Sequence, residues 1–176
     1  MNIIHECIYN TLNMIIINKS GHLKYKELRF KCALGKAGIG KKKIEGDKIT
    51  PRGTFKIVNI YYRKDRIKNI VTNLKLVKIK RNMGWCDDPE SKKYNQLIKL
   101  PTKYCHEKLY RSDNLYDIIL ILNYNMDPII KGKGSAIFLH LAKNLKNKTN
   151  GCIGLKKKDM LELIKKIKKN TKIIIN

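Results

Sequence analysis

The chain is poor in aromatic and acidic residues, and it has no long apolar run. Only 7% of its 176 residues are aromatic, and 14 Asp and Glu stand against 39 Lys and Arg. Because no stretch of about 18 apolar residues occurs, we expect no transmembrane segment. The first residues also lack a basic region, a long apolar region and a small-residue cleavage site, so no signal peptide is recognisable.

The five cysteines do not form a pattern that is typical of zinc sites or disulfides. Their number is odd and no Cys-x-x-Cys pair occurs. We therefore expect no metal, no cofactor and no disulfide framework. Free cysteines are usually packing residues, which is our expectation for Cys7, Cys32, Cys86 and Cys105. The remaining thiol, Cys152, is the candidate for chemistry.

The net charge of +25 is the most extreme feature of the composition. Such a charge favours anionic partners, among them nucleic acid, anionic lipid and acidic wall polymers. Most of the basic residues are lysines, however, and Lys, Ile and Asn all have A/T-rich codons, so compositional drift explains much of the charge. Arginine, which reads bases by bidentate contacts, is scarce. We therefore expect no nucleic-acid partner.

Hydrophobic patterning predicts one mainly β domain over residues 1–176, with many short strands and one or two helices. Apolar and alternating runs bounded by turn signals predict a hairpin over 12–32, in which a strand over 12–17 and a loosely alternating run over 22–32 flank a turn over 18–21. Further strands are predicted over 55–62, 74–79, 117–122, 137–139 and 172–175. Helical spacing predicts an amphipathic helix over 156–169 with a solvated basic face. We expect a glycine-rich loop over 33–46 and a long irregular segment of functional type over 83–110.

A histidine and a cysteine lie close together near the C-terminus. An apolar run ends on His140, and a short polar loop then leads to Thr149, Gly151 and Cys152. Cysteine attacks as a thiolate, so a nucleophilic cysteine needs a nearby base or cation. A glycine before it permits a tight turn that exposes the sulfur. The pattern alone leaves a catalytic pair and two structural residues as alternatives.

The motifs together resemble the L,D-transpeptidase catalytic domain (YkuD-like) family, in its proteobacterial branch. Members carry a Thr-Pro-x-Gly-x-Phe segment, matched by residues 50–55. They also carry a histidine upstream of a Ser/Thr-x-Gly-Cys motif, matched by His140 and by residues 149–152. The resemblance is strongest over residues 33–155 and includes segments 84–89, 94–95, 106–111, 116–117, 124–125 and 134–140.

Three positions depart from the family pattern. Many members have histidine where Asn150 stands, glycine where Leu141 stands and arginine where Gly154 stands. The arginine is thought to hold the donor or to order the loop. Its role must pass to another group here, and Arg111, His106 or a lysine could take it.

The resemblance implies that the fold is a single-domain β-sandwich of the L,D-transpeptidase type. It also implies that the protein is a peptidoglycan L,D-transpeptidase, which forms crosslinks in the cell wall. The Cys152 thiolate would attack a donor stem tetrapeptide, D-Ala would leave and an amine would resolve the thioester. His140 would hold the thiolate as an ion pair or shuttle protons, and backbone N–H groups around Gly151 and Cys152 would form the oxyanion hole. We expect the following side chains to contact substrate: Trp85, Asp87, Tyr94, His106, Glu107, Arg111 and Thr149.

Several alternatives stay open at this stage. Water in place of the amine would make the protein an L,D-carboxypeptidase or hydrolase on the same scaffold. A non-enzymatic basic protein that binds nucleic acid or an anionic surface is the rival from another class. Trp85 could be a core residue, and His106 and Glu107 a local pair. The substrate implies the periplasm or cell envelope, a cytoplasmic location stays open without a visible export signal, and the oligomeric state is unknown.

Overall fold

Short strands make up most of the fold. The computed structural model describes residues 13–176, so Cys7 and the first residue of the strand expected over 12–17 lie outside the described residues. The strands are β1 (Met14–Ile17), β2 (His22–Tyr25), β3 (Leu28–Lys31), β4 (Ile39–Gly40), β5 (Thr50–Pro51), β6 (Gly53–Tyr62), β7 (Leu76–Lys78), β8 (Met83–Cys86), β9 (Leu97–Lys99), β10 (His106–Lys108), β11 (Ile118–Leu122), β12 (Phe138–Leu141), β13 (Ile153–Leu155) and β14 (Lys172–Ile175); the helix is α1 (Lys157–Lys166). The predicted mainly β, single-domain fold is confirmed.

A nine-stranded sheet forms the body of the protein, in the order β13-β12-β11-β6-β14-β1-β2-β3, with β7 paired to β6. The β1–β14, β12–β13 and β6–β7 pairs are parallel, and the others are antiparallel. After β3 the chain turns back, and Ala33 exchanges two backbone hydrogen bonds of 2.9 Å with Gly154 of β13. The two ends of the strand order therefore meet, and the sheet curves round on itself.

The inner face of the curved sheet holds the main core. Side chains alternate between the two faces of a strand, so β11 and β12 send every second residue inward. The buried inner-face residues from several strands include Ile15, Ile17, Leu23, Ile57, Ile60, Leu120, Leu139, Leu141, Leu155, Ile173 and Ile175. Helix α1 covers this core with Met160, Leu163 and Ile164.

The outer face of β11 and β12 carries a second apolar cluster. Ile119, Ile121 and Phe138 point to this side and are buried. A small sheet in the order β10-β8-β9 packs over them, and the Trp85 ring meets the Phe138 ring edge-on at 5.4 Å between centroids. The small sheet thus shelters one part of the outer face, and the ends of β12 and β13 lie beside it.

Three expectations from the sequence are corrected. The segment over 83–110 is not irregular but forms the small sheet, because its short alternating runs pair with each other in register. The helix ends at Lys166 rather than near residue 169, because Ile167 has extended backbone and the chain then turns over 168–171 into β14. Cys105 is exposed rather than packed, whereas Cys32 and Cys86 are buried as expected.

We predict that Gly154→Ala lowers the free energy of unfolding by about 1–3 kcal/mol, the usual cost of overpacking. Its Cβ would lie 2.9 Å from the Ala142 Cβ and 3.3 Å from the Ala33 Cβ, at the seam of the sheet. Urea unfolding measures the change. Gly40→Ala is the matched control, because its Cβ would meet nothing closer than 3.6 Å.

A double-mutant cycle tests the steric cause. In an Ala142→Gly background the same Gly154→Ala change should cost less, since the clashing methyl group is gone. Equal costs in the two backgrounds would contradict this explanation.

Candidate active site

A cavity of about 1020 Å³ opens beside the small sheet, and both His140 and Cys152 line it. The volume is large enough for a peptide-sized ligand, since small-molecule sites usually span about 300–1,000 Å³. Its wall combines residues from the loop after β4, the small sheet, the loop before β12 and the loop between β12 and β13.

The parallel pairing of β12 with β13 brings the histidine and the cysteine to one face. His140 is in register with Gly154, and Cys152 lies two residues before Gly154, so both functional side chains share the outer face. Gly154 offers no side chain beside the imidazole, and a Cβ built there would lie 3.9 Å from the His140 Cε1. The same Cβ would lie 2.9 Å from the Ala142 Cβ, so the glycine lets the strands pack closely beside the imidazole.

The Cys152 thiol sits among backbone groups of the strand next to it. Its Sγ donates to the Ala136 carbonyl at 3.1 Å and accepts from the Phe138 N–H at 3.4 Å. Burial raises the pKa of the thiol to about 12; the Phe138 N–H and the Lys42 charge act in the opposite direction, and the Glu107 charge adds to the rise. The resting group is consequently a neutral thiol.

His140 is buried, and one of its two ring nitrogens is hydrogen-bonded. Nδ1 lies 2.8 Å from the Leu141 carbonyl, and because a carbonyl only accepts, Nδ1 carries the proton in the neutral ring. Nε2 is then the basic nitrogen. Burial lowers the pKa of the imidazole, and the Arg111 charge adds to that effect, while the Leu141 carbonyl and Asp113 oppose it. His140 is thus a neutral base at rest.

An aromatic ring and an ion pair stand behind the imidazole. The Tyr116 ring meets the His140 ring edge-on at 5.6 Å between centroids, and the Arg111 guanidinium lies 5.0 Å from the Tyr116 centroid. Asp113 holds Arg111 with bonds of 2.5 Å, 3.0 Å and 3.2 Å. The Tyr116 ring thus packs against the imidazole and is itself backed by the Arg111–Asp113 pair.

The Thr149 hydroxyl and the backbone conformation of Gly151 shape the turn before Cys152. Thr149 Oγ1 donates to the Cys152 carbonyl at 2.6 Å and accepts from the Gly151 N–H at 3.1 Å. Gly151 has a φ of +130°, and a Cβ there would lie 2.9 Å from the Ile49 carbonyl oxygen. Both the backbone angle and the space therefore require glycine at this position.

A buried lysine lies under the same loop. Lys42 has a side chain only 2% exposed, and its Nζ bonds Asp47 at 2.5 Å and the Ile49 carbonyl at 3.4 Å. Its Cε lies 2.2 Å from where a Cβ on Gly134 would stand, so the glycine makes room for it. Lys42 is a fixed positive charge in the wall of the cavity and lowers the pKa of the thiol.

Asn95 holds the strand segment that contacts the thiol. Its side-chain oxygen accepts from the Trp85 Nε1 at 3.0 Å and from the Ala136 N–H at 3.1 Å. Its amide donates to the carbonyls of Tyr124 and Asn125. Ala136 has a φ of +49°, which costs free energy in a residue with a Cβ and persists only where the surroundings impose it. Asn95 supplies that constraint.

The structure brings together part of the set expected to contact substrate. Asp87, Glu107, Arg111 and Thr149 line the cavity with His140 and Cys152. Trp85, Tyr94 and His106 are not part of its lining: Trp85 is buried on Phe138, the Tyr94 hydroxyl is bonded to Glu45 and to the Gly134 N–H, and the His106 Nδ1 is bonded to the Tyr104 carbonyl.

Sequence reasoning missed several residues of the cavity and its support: Lys42, Glu45, Asn95, Asp113, Tyr116, Ser135 and Ala136. Lys42 is the middle of three consecutive lysines, and nothing in that run singles it out. One signal was available in the sequence: the run Gly134-Ser135-Ala136 directly precedes the apolar segment that leads to His140, which indicates that these residues lie near it. Over residues 13–176, no group of three or more His, Cys, Asp or Glu side chains is placed to hold a metal ion, and no helix is long and apolar enough to cross a membrane.

Comparisons with known proteins agree on the fold. The chain is similar to the helical cell shape determining protein Pgp2 from Campylobacter jejuni, with 17% identity, a TM-score of 0.50, and coverage of 93% of this chain and 46% of that one. A point mutant of that protein gives 15% identity, a TM-score of 0.51 and the same coverage. An L,D-transpeptidase from Mycobacterium smegmatis is 13% identical, with a TM-score of 0.44 and coverage of 93% and 58%.

The chain spans about half the length of the Pgp2 structures that it matches, and no curated protein matches it. The family comparison is more direct. The model of the L,D-transpeptidase catalytic domain, YkuD, matches residues 12–175, which is nearly the whole chain. The resemblance read from the motifs is thereby confirmed, and the chain belongs to the L,D-transpeptidase catalytic domain (YkuD) family.

Proposed function

We propose that this protein is a peptidoglycan L,D-transpeptidase that uses Cys152 as nucleophile and His140 as general base. One observation carries the proposal: parallel β12 and β13 put both side chains on one face, inside one cavity. A histidine with a free basic nitrogen and a thiol in a sheltered cleft is the arrangement that nucleophilic cysteine catalysis requires.

The first chemical step starts from a neutral pair. His140 Nε2 takes the thiol proton as Cys152 Sγ attacks the donor carbonyl, and the S–C bond forms. The amide C–N bond then breaks, and His140 returns the proton to the leaving amine of D-Ala. The raised pKa of the thiol and the lowered pKa of the imidazole favour this concerted route over an ion pair formed in advance.

The Cys152 N–H is proposed to donate the hydrogen bond that stabilises the oxyanion of the tetrahedral intermediate. The Gly151 N–H already donates to Thr149 Oγ1, so of the two backbone donors expected from the sequence only the second is proposed to meet the developing charge. A preorganised donor of this kind contributes about 3–4 kcal/mol to transition-state stabilisation.

The second step decides between transfer and hydrolysis. An acceptor amine that attacks the thioester forms the new C–N bond, breaks the S–C bond and passes its proton through His140 to Sγ, which yields a crosslink. Water in its place yields a shortened stem peptide. Because the substrate is the wall polymer, we place the activity in the cell envelope, with wall construction and cell shape as the process served.

We predict that Cys152→Ala abolishes turnover of a disaccharide-tetrapeptide muropeptide and leaves the fold intact. Mass spectrometry of the products, with circular dichroism as the folding control, tests this. A crosslinked dimer from the wild type alone supports the transpeptidase, and tripeptide with D-Ala but no dimer supports the carboxypeptidase. Turnover that survives in the variant would falsify the assignment of the nucleophile, and a wild type that leaves the muropeptide unchanged would turn attention to a binding role.

We predict an acid limb of kcat/KM whose midpoint lies below 6.5, the ordinary pKa of histidine. The base must be unprotonated to act, and burial lowers its pKa, so activity persists to lower pH than an exposed histidine would allow. A midpoint at or above 6.5 contradicts a buried neutral base.

The resting protonation state of Cys152 and His140 can also be tested without substrate. In a Cys7→Ser/Cys105→Ser background, iodoacetamide should alkylate Cys152 slowly at neutral pH and faster only as the pH becomes strongly alkaline. The first change removes the thiol that lies outside the described residues, and the second removes the exposed thiol within them. Rapid alkylation at neutral pH would show a preformed thiolate.

We predict that Thr149→Ala lowers kcat by about tenfold to a hundredfold, because two hydrogen bonds that shape the catalytic turn are lost. Thr149→Ser keeps the hydroxyl and should stay within a few-fold of the wild type. Steady-state kinetics of the two variants side by side is the test. Equal losses in both would point to the methyl group and not to the hydroxyl.

A further inference from the structure

Two buried polar atoms in the cavity wall have no hydrogen-bond partner. Over residues 13–176 these are Asp87 Oδ1 and Ser135 Oγ, the only such side-chain atoms found there. Both residues line the cavity that holds Cys152, and Ser135 is 6% exposed. Buried polar groups in native proteins are nearly always bonded, so each exception asks for an explanation. A polar group of a ligand in the cavity would be one.

The charge around Asp87 indicates the sign of that group. Burial raises the pKa of Asp87, and the Glu107 and Glu45 carboxylates raise it further. All three residues line the cavity, in a chain with a net charge of +25. Of the three, Glu107 already has the Arg111 guanidinium at 3.7 Å and Glu45 accepts from the Tyr94 hydroxyl, whereas Asp87 Oδ1 has no hydrogen-bond partner. Like charges that face one sheltered space are costly unless a cation joins them, so the position beside Asp87 favours a positively charged group.

Ser135 belongs to the same wall. The Tyr94 hydroxyl donates to the Glu45 carboxylate and accepts from the N–H of Gly134, the residue before Ser135. The residue after it is Ala136, whose carbonyl accepts the Cys152 thiol. A group bound by Ser135 would therefore lie next to the nucleophile.

Positive charge lies elsewhere along the lining. Exposed lysines from the loop after β12 and from the loops around β4 take part: Lys36, Lys48, Lys143 and Lys148. The two remaining cations are already engaged, Lys42 by Asp47 and Arg111 by Asp113. The cavity lining thus offers exposed lysines that can attract anions and a carboxylate oxygen without a partner, Asp87 Oδ1.

We propose that Asp87 and Ser135, with Glu45 and Glu107 around them, form a subsite for a primary ammonium group of the peptide substrate. An ammonium has three donors and no acceptor, so it can satisfy Asp87 Oδ1 and Ser135 Oγ together. The subsite rests on the proposed acyl-transfer function. The ammonium can belong to the acyl donor or to the acceptor, and the experiment separates these sources.

The first experiment measures binding and needs no turnover. Calorimetry on the Cys152→Ala protein compares stem peptides whose free amine is intact or acetylated. Acetylation should weaken binding by about tenfold or more, as expected for loss of a charged hydrogen bond. In Cys152→Ala/Asp87→Asn the two peptides should bind alike, and Ser135→Ala should reduce the difference in part.

Asp88→Asn is the matched control. Asp88 lines the same cavity, but its carboxylate is occupied by the N–H groups of Glu90 and Cys105. This variant should keep the wild-type preference for the free amine. Thermal melting of each variant separates loss of the subsite from loss of the fold.

The source of the ammonium follows from acetylating one partner at a time. A weaker affinity for acetylated donor peptide assigns the subsite to the donor, and a weaker affinity for acetylated acceptor peptide, with the donor unaffected, assigns it to the acceptor. The proposal would be overturned if acetylation weakened the binding of both peptides equally with Asp87 and with Asp87→Asn. It would also be overturned if acetylation did not weaken binding at all. A wild type that binds with this preference but turns nothing over would contradict the proposed function and leave the subsite standing.

Discussion

The parallel pairing of β12 with β13 is the constraint on which the candidate site depends. Four residues of β12 alternate so that Leu139 and Leu141 enter the core while Phe138 and His140 face the cavity side. The register with β13 then places Cys152 on the same side as His140. A shift of one residue in either strand would send its functional side chain into the core. The apolar residues of the two strands therefore fix the placement of His140 and Cys152, since a one-residue shift of β12 would bury His140 and expose Leu139 and Leu141.

The electrostatics of the site follow from its position between two apolar clusters. Shelter from water holds both the thiol and the imidazole neutral at rest, with the pKa of Cys152 raised to about 12 and that of His140 lowered. In the proposed reaction, charge develops only during the chemical step, when the Lys42 ammonium and the backbone donors already stand in place. Such preorganisation costs no rearrangement at the transition state. Although the chain is strongly basic, the cavity lining carries charges of both signs, with Glu45, Asp87 and Glu107 among its basic residues.

Much of the fold could be predicted from the sequence because the strands alternate cleanly. β6, β11 and β14 appear as apolar or alternating runs, and the His140 and Cys152 motif is local in sequence. The three-stranded sheet over 83–110 could not be found in this way, because its strands are three or four residues long and are stabilised by packing on Phe138. The cavity wall was predicted in part for the same reason. Asn95 and Lys42 act through contacts with segments about 40 and 90 residues away, respectively, and no local pattern encodes such contacts.

Gly154 stands where many members of the family have arginine, and its surroundings explain why an arginine does not fit at this position. An arginine side chain at this position would have to start from a Cβ that already meets Ala142 and Ala33, so the seam of the curved sheet and an arginine exclude each other here. Of the groups that could replace the arginine, His106 is outside the cavity lining, whereas Arg111 lines it and stacks on Tyr116 behind the imidazole. Because Arg111 is engaged by Asp113, and Lys42 by Asp47, neither charge is free to attract an anion, and the exposed lysines of the cavity lining are the cations left for that role.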